Sequence, residues 1–241
     1  MSETNDKRRS EPRSLLAGLA KELGHLPSDK RRAALEVSAG LAGVSLRVSR
    51  EFVAAIPGAA AILSADDLRN WGEIGRRLAM GSVDLAVKFF RDGIEAFRAI
   101  SPAARPYIFE ICKRQLVLSS SIALETFHLA PLIVSQIDDE RFATEIFRLG
   151  AEIAARSAKH SADLLQRTAL VADALAKFGN EKHLVAEAVI SLAFQFAHRT
   201  GGMTADLWTV LPAALGRIKA AEAIRLLATA ERKPACVMVT L

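Results

Sequence analysis

Apolar residues recur along this chain at helical spacing and in a repeating order. Five small hydroxyl residues each lie between two apolar stretches, and they serve as anchors for comparing those stretches: Ser45, Ser82, Ser120, Ser157 and Thr200. The intervals between them are 37, 38, 37 and 43 residues. Such intervals fit a unit of two helices of about four turns each with their chain reversals.

Equivalent positions around the anchors carry equivalent side chains. The residues eleven, eight and four positions before each anchor are all apolar, as in Trp71, Ile74 and Leu78 before Ser82. Steps of three and four residues trace one face of a helix, so each unit begins with an amphipathic helix. Seven and eight positions after the anchor the pattern is again mostly large and apolar. It includes His128, which we therefore expect to be an interior or interface histidine.

Helix boundaries fall between the repeats. The stretch 64–67 (SADD) has the pattern of a capping box that opens the second repeat, and Asp138 is a candidate cap for the fourth. Gly179 followed by Asn180 predicts a helix stop before the fifth repeat. Ser101 and Pro102, with Pro106 behind them, mark the start of the third, because proline is tolerated in a first helical turn.

These patterns predict an all-α fold, a right-handed solenoid of about five helix-turn-helix, HEAT-like repeats over residues 28–218. Composition agrees, since 51% of the 241 residues are hydrophobic and tyrosine occurs once. We expect residues 1–13 to be a disordered basic arm and residues 14–27 to form a capping helix. Residues 219–241 should form a terminal helix followed by a short extended tail at 235–241.

The net charge of +5 is concentrated at the front of the chain. Residues 1–50 hold ten Lys or Arg against six Asp or Glu, which is +4 of that total. The remaining body is near neutral, with both signs interspersed. A basic arm favours nucleic acid, whereas a neutral body with 6% aromatic residues offers few base-stacking platforms.

Cysteine usage and hydropathy indicate where the protein resides. Cys112 and Cys236 are the two cysteines, and neither belongs to a cluster of His or Cys. The N-terminus is polar without the apolar core of a secretory signal, and no apolar run approaches the ~20 residues that cross a bilayer. We expect a soluble cytoplasmic protein.

No pattern for catalysis, cofactor binding or metal binding is found. The glycines at 200–204 (TGGMT) lack the lysine and the preceding strand of a phosphate loop. The five histidines lack metal-ligand spacing, and Cys112 and the serines at 119–121 fit a core position and a helix junction. We therefore expect no catalytic residue, no cofactor and no metal.

Basic side chains at the turns and on exposed helix faces are the candidate interaction residues: Arg156, Lys159, His160, Arg76, Arg77 and Arg114. The first three lie in the stretch 156–161 (RSAKHS), where clustered cations could hold an anion or an acidic partner. A merely solvated turn is the alternative interpretation.

Several of these segments resemble a known family. The stretches 68–79 (LRNWGEIGRRLA), 85–90 (LAVKFF), 114–121 (RQLVLSSS), 156–163 (RSAKHSAD) and 194–208 are similar to the N-terminal helical-repeat region of NorD/CbbO-type bacterial proteins. The resemblance covers most of residues 28–218. Members of that family combine the helical region with a von Willebrand factor A domain and act with MoxR-class AAA+ ATPases. The chain has no Asp-x-Ser-x-Ser motif, so we expect a form of the scaffold without that domain, and no metal residue is carried over.

Together the repeats and the resemblance predict a non-enzymatic adaptor. Its partner would be a protein, for which a MoxR-class AAA+ ATPase or the client of that ATPase is the candidate. We expect no membrane binding. The alternative function is nucleic-acid binding through the basic N-terminal region. An enzyme with residues from separate repeats is the third hypothesis, and the sequence does not predict the oligomeric state.

Overall fold

The computed structural model describes residues 23–232 except residue 138. Within these residues the chain forms helices and turns without strands, which confirms the all-α prediction. The basic arm, most of the predicted capping helix and the tail at 235–241 lie outside the described residues. Leu23–His25, at the end of that predicted capping helix, form a short 3-10 turn.

The chain divides into two compact units, residues 1–98 and residues 99–241. The first unit holds helices α1 (Ser28–Ala42), α2 (Leu46–Ile62), α3 (Ala65–Gly81) and α4 (Val83–Ala99). The second holds α5 (Arg105–Gln115), α6 (Ser120–Ile137), α7 (Glu140–Ala154), α8 (Ala158–Ala176), α9 (Lys182–Arg199), α10 (Gly201–Leu215) and α11 (Ala220–Arg232). Each pair of consecutive helices from α1 to α10 is one predicted repeat, and α11 is the predicted terminal helix.

In the second unit the first helices of the repeats pack in one layer and the second helices in another. Helices α5, α7, α9 and α11 contact their neighbours in this order, and α6, α8 and α10 do likewise. In the first unit α1 packs against α3 and against its hairpin partner α2. This arrangement is that of a helical-repeat protein.

Most of the hydroxyl anchors cap the second helix of their repeat. The side chains of Ser45, Ser157 and Thr200 accept hydrogen bonds from the backbone N–H three residues on, at 3.4, 3.3 and 3.1 Å. Ser82 does the same for Leu85 at 3.4 Å. These bonds satisfy amide groups that a helix start leaves without an intrahelical partner.

The third anchor is Ser119 rather than Ser120. Ser120 is already the first residue of α6, whereas the Ser119 side chain accepts from the Ser121 N–H at 3.2 Å. Three helix-interior prolines support this corrected position, because each lies twelve residues after its anchor: Pro57, Pro131 and Pro212. The shift moves His128 out of the predicted core position, and its side chain is exposed. The interior position expected for His128 is therefore wrong, and the interface alternative stays a prediction.

Two other predicted boundaries have different outcomes. The capping box is present, since the Ser64 side chain accepts from the Asp67 N–H at 3.0 Å and the Asp67 carboxylate accepts from the Ser64 N–H at 3.1 Å. The cap of α7 is Asp139, which accepts from the Phe142 N–H at 3.0 Å, rather than Asp138. Asp138 itself lies outside the described residues.

Every repeat brings its two helices together at one pair of small buried residues, seven before and four after the anchor. In three repeats a hydroxyl at the later position donates to a carbonyl at the earlier one: Ser49 to Ser38 at 2.9 Å, Ser161 to Gly150 at 2.9 Å, and Thr204 to Ala193 at 3.4 Å. In the third repeat the direction reverses, and the Cys112 thiol donates to the Ala123 carbonyl at 3.6 Å. Small residues are needed here because the two backbones approach closely.

Candidate functional site

The cluster at 156–161 contacts the turn at 200–204 that opens α10. Arg156 donates from Nη1 to the carbonyl oxygens of Ala197 and His198, both at 2.6 Å. A cation at the last carbonyls of a helix complements its dipole, so Arg156 stabilises the C-terminus of α9. The sequence singled out the stretch 156–161 as a candidate but did not predict that it meets the turn at 200–204.

His160 completes this contact. A methyl group added to Gly202 would lie 3.4 Å from its imidazole Cε1, and one added to Gly201 would lie 3.7 Å from Nδ1. The glycines of the 200–204 turn thus let the ring of His160 lie against the start of α10. Lys159 is exposed beside them.

The other nominated cations are paired with glutamates on their own helices. Arg76 and Arg77 both bind Glu73, at 2.9 and 2.7 Å, and Arg114 binds Glu110 at 2.8 Å. The hydrogen bond from Arg76 is the largest influence that lowers the pKa of the Glu73 carboxyl. Each of these arginines has a carboxylate partner, but Arg76 and Arg77 share the one carboxylate of Glu73, and Arg114 shares that of Glu110 with Lys113.

A groove of about 770 Å³ lies between α7 and α9 in the second unit. Its floor is apolar, formed by the buried Phe142, Ala186 and Ile190 and the half-buried Phe194. Its rim carries both signs of charge together with neutral polar groups: Asp139, Arg141, Glu145, Arg148, His183, Glu187, Ser191, Gln195 and His198. An apolar floor with a polar rim is the usual anatomy of a protein-binding patch.

Three weak contacts span this groove from α7 to α9. Arg141 approaches Glu187 at 3.5 Å, Glu152 approaches His198 Nδ1 at 3.7 Å, and the Arg148 guanidinium carbon lies 4.3 Å from the centre of the Phe194 ring. The side chains of both ion pairs are well exposed, and exposed pairs contribute only about 0–1 kcal/mol each. An incoming partner could therefore rearrange them at little cost.

A smaller groove of about 230 Å³ lies at the equivalent place in the first unit, between α1 and α3. The two helices approach closely there, as Gly72 shows. A methyl group added to it would come within 2.2 Å of a Val37 methyl carbon. Ile190, ten residues before Thr200, occupies the repeat position of Gly72, ten residues before Ser82. Ile190 therefore stands where the first unit has glycine, and it forms part of the floor of the larger groove.

The described residues hold neither a group of three or more His, Cys, Asp or Glu placed to bind a metal ion nor a helix long and apolar enough to span a membrane. Cys112 is fully buried, and burial raises the pKa of its thiol to about 12. A thiol with that pKa is almost entirely protonated at neutral pH and is a poor nucleophile.

No protein-family model, curated protein or solved structure matches this chain.

Sequence reasoning missed the groove residues. Arg141, Glu145, Arg148 and Glu152 follow one face of α7 at helical spacing with alternating sign, and this was the available signal. Their opposite wall begins at His183, 29 residues after α7 ends at Ala154, so only the packed structure joins the two walls.

Proposed function

We propose that this protein is a non-enzymatic helical-repeat scaffold that binds a segment of a protein partner in the groove between α7 and α9. The observation that carries the proposal is the apolar floor of Phe142, Ile190 and Phe194 beneath a rim of mixed charge. Phe142 and Ile190 are already buried, so a partner would gain binding free energy mainly by covering the half-buried Phe194, at roughly 25 cal/mol per Å² of apolar surface removed from water.

The rim suits a protein ligand better than a polyanion. Arg141, Arg148 and His198 each approach a carboxylate, on Glu187, Glu145 and Glu152 respectively. A phosphate backbone would have to displace those carboxylates and would meet their charge at close range. A peptide can replace the ion pairs of the rim one at a time with its own polar groups, while its apolar side chains cover the floor.

The partner class follows from the family resemblance described above and is part of the proposal. A MoxR-class AAA+ ATPase or its client is the leading candidate. A cytoplasmic location belongs to the same proposal.

Site-specific photo-crosslinking tests the proposal. A photoreactive phenylalanine analogue at Ser191, exposed on the groove wall, should capture a partner in the native host that mass spectrometry identifies. The same analogue at Asp173, exposed on α8 in the other layer, is the matched control. A partner captured equally from both positions, or from neither, would refute the groove as the binding site.

A further inference from the structure

We propose that the groove between α7 and α9 binds an arginine side chain of the partner, stacked on Phe194 and paired with Glu145 in place of Arg148. The inference rests on the proposed function for its biological consequence, but the site can be measured without any partner. Its basis is that the chain's own Arg148 already occupies these two groups, so the kind of side chain that they hold is visible in the fold itself.

The Arg148 guanidinium lies over an aromatic ring and beside a carboxylate. Its carbon Cζ is 4.3 Å from the centre of the Phe194 ring, and its Nε donates to Oε2 of Glu145 at 2.9 Å, with a second hydrogen bond from Nη2 to the same oxygen. A planar guanidinium stacks on a ring while it donates to a carboxylate, which suits arginine better than lysine. Phe194 and Glu145 together therefore form a site for a guanidinium group.

Phe194 presents its ring to the groove rather than to the core. Nine of the eleven phenylalanines are buried, whereas Phe178 and Phe194 are half-buried and each has a cation over its ring. The cation over Phe178 is Lys177, its neighbour in the chain, whereas Arg148 reaches Phe194 from another helix. An aromatic ring at this position, six residues before the anchor, is specific to the fifth repeat, because the others have alanine or a basic residue: Ala39, Arg76, Lys113 and Ala151.

The wall opposite Glu145 offers that carboxylate no second cation. Three contacts cross the groove, and each joins residues 46 apart in the chain: Arg141 with Glu187, Arg148 with Phe194, and Glu152 with His198. The same register places the neutral, exposed Ser191 across from Glu145. Arg148 is therefore the one cation that pairs with Glu145 among the described residues. An arginine that enters beside Ser191 meets a carboxylate whose charge no residue of α9 balances.

Arg148 has a second carboxylate within reach when it leaves the ring. Glu152 lies four residues further on, and residues four apart are neighbours on the surface of a helix. The present contacts of Glu152, to Arg156 Nη2 and His198 Nδ1, are both long at 3.7 Å. Arg156 is held independently by two backbone carbonyl oxygens of α9. Because exposed ion pairs contribute little, Arg148 can exchange Glu145 for Glu152 at small cost, and that exchange uncovers the ring.

Removing the native guanidinium should let a small molecule fill the site. Arg148→Ala should bind N-acetylarginine amide about tenfold more tightly than the native chain does, because no tethered guanidinium competes for Phe194 and Glu145. The NMR signals of the Phe194 ring follow the titration. N-acetylcitrulline amide has nearly the same shape without the charge, and Arg148→Ala should bind it about tenfold more weakly than N-acetylarginine amide. Equal affinity for the two molecules, or no saturable binding of either, would overturn the proposal.

Two further variants assign the binding to the ring and the carboxylate. Glu145→Gln, added to Arg148→Ala, should remove the preference for arginine over citrulline, and a preference that persists would contradict the role of Glu145. Arg98→Ala is the matched control, because Arg98 is an exposed arginine that pairs with Glu95 three residues earlier and lies over no ring among the described residues. It should bind N-acetylarginine amide no better than the native chain. A gain equal to that of Arg148→Ala would contradict stacking on Phe194.

The partner captured at Ser191 provides the second test. Its crosslinked segment should contain an arginine, and replacing that arginine with glutamine should weaken binding to the native chain by about tenfold. A captured segment without an arginine would overturn the inference and leave the groove as the binding site. Binding of N-acetylarginine amide by Arg148→Ala with no partner captured would establish the arginine site and refute the proposed function.

Discussion

Trp71 in the first unit and Trp208 in the second are both fully buried, but their indole N–H groups are treated differently. Trp208 donates to the Thr168 hydroxyl at 3.3 Å, and Thr168 donates in turn to the Leu164 carbonyl at 3.0 Å. The Trp71 N–H has no hydrogen-bond partner among the described residues. The same repeat architecture thus accommodates a buried tryptophan with a hydrogen-bonded N–H in one unit and without one in the other.

Trp71 is instead fixed by the packing of aromatic rings around it. Its ring lies 5.0 to 6.3 Å from those of Phe52, Phe89, Phe90 and Phe97, mostly tilted or edge-on. Such pairs contribute about 0.5–1.5 kcal/mol each beyond the apolar area they bury. Gly75 and Gly93 make room for the rings around Trp71, whereas in the second unit the Thr168 hydroxyl accepts from the Trp208 N–H. The first core should therefore be the more sensitive to added volume and the second to lost hydroxyls.

The largest effect is expected for Gly75→Ala in the first unit. Its new Cβ would lie 1.9 Å from Cζ of Phe90, whose neighbours fix the ring, so the free energy of unfolding should fall by about 3 kcal/mol. Urea denaturation checks this in a Trp208→Phe background, where Trp71 is the one tryptophan left. Gly40→Ala is the control, because no atom lies within 4 Å of its added Cβ. It should stabilise by about 0.5–1 kcal/mol, and a similar loss at both sites would contradict the comparison.

The second unit should lose stability when Thr168 loses its hydroxyl. Thr168→Val keeps the volume but leaves the Trp208 N–H buried without an acceptor, which costs about 2 kcal/mol. Urea denaturation in a Trp71→Phe background measures it. Thr168→Ser keeps the hydroxyl and should retain the hydrogen bond. If valine proved no worse than serine, the hydrogen bond would have no part in stability.

Replacing a buried amide should have a smaller effect of opposite sign. Gln115 is fully buried with neither amide atom paired among the described residues, at the position held by Leu78 and Ile153 in other repeats. Gln115→Leu should raise the free energy of unfolding of the second unit by about 1 kcal/mol. A destabilising result would show that the Gln115 amide makes a hydrogen bond that stabilises the fold.

The smallest effect concerns Glu73 and its dependence on pH. Because the Arg76 hydrogen bond lowers its pKa from 4.5, the ion pairs stabilise the fold above pH 4.5. That contribution disappears as the pH falls through the lower pKa of the folded state. Glu73→Gln should therefore cost about 0.5 kcal/mol at pH 7 and progressively less as the pH falls below the pKa of the folded state. A difference that persists at low pH would assign the loss to packing instead.

The sequence was sufficient to predict the repeats, because apolar side chains at steps of three and four residues lie on one face of a helix, and that face must be buried. It misplaced the third anchor, since three consecutive serines at 119–121 offer equivalent caps, and His128 was misassigned with it. It missed the groove because α7 and α9 meet only after α8 has reversed the chain.

Partner affinity at the groove tests the central claim most directly. Titration calorimetry with the crosslinked partner should compare the native chain with Ser191→Arg, which fills the groove, and Asp173→Arg, which adds the same side chain to α8. The account predicts at least fiftyfold weaker binding for Ser191→Arg and a change within twofold for Asp173→Arg. Equal affinities for the two variants would contradict it.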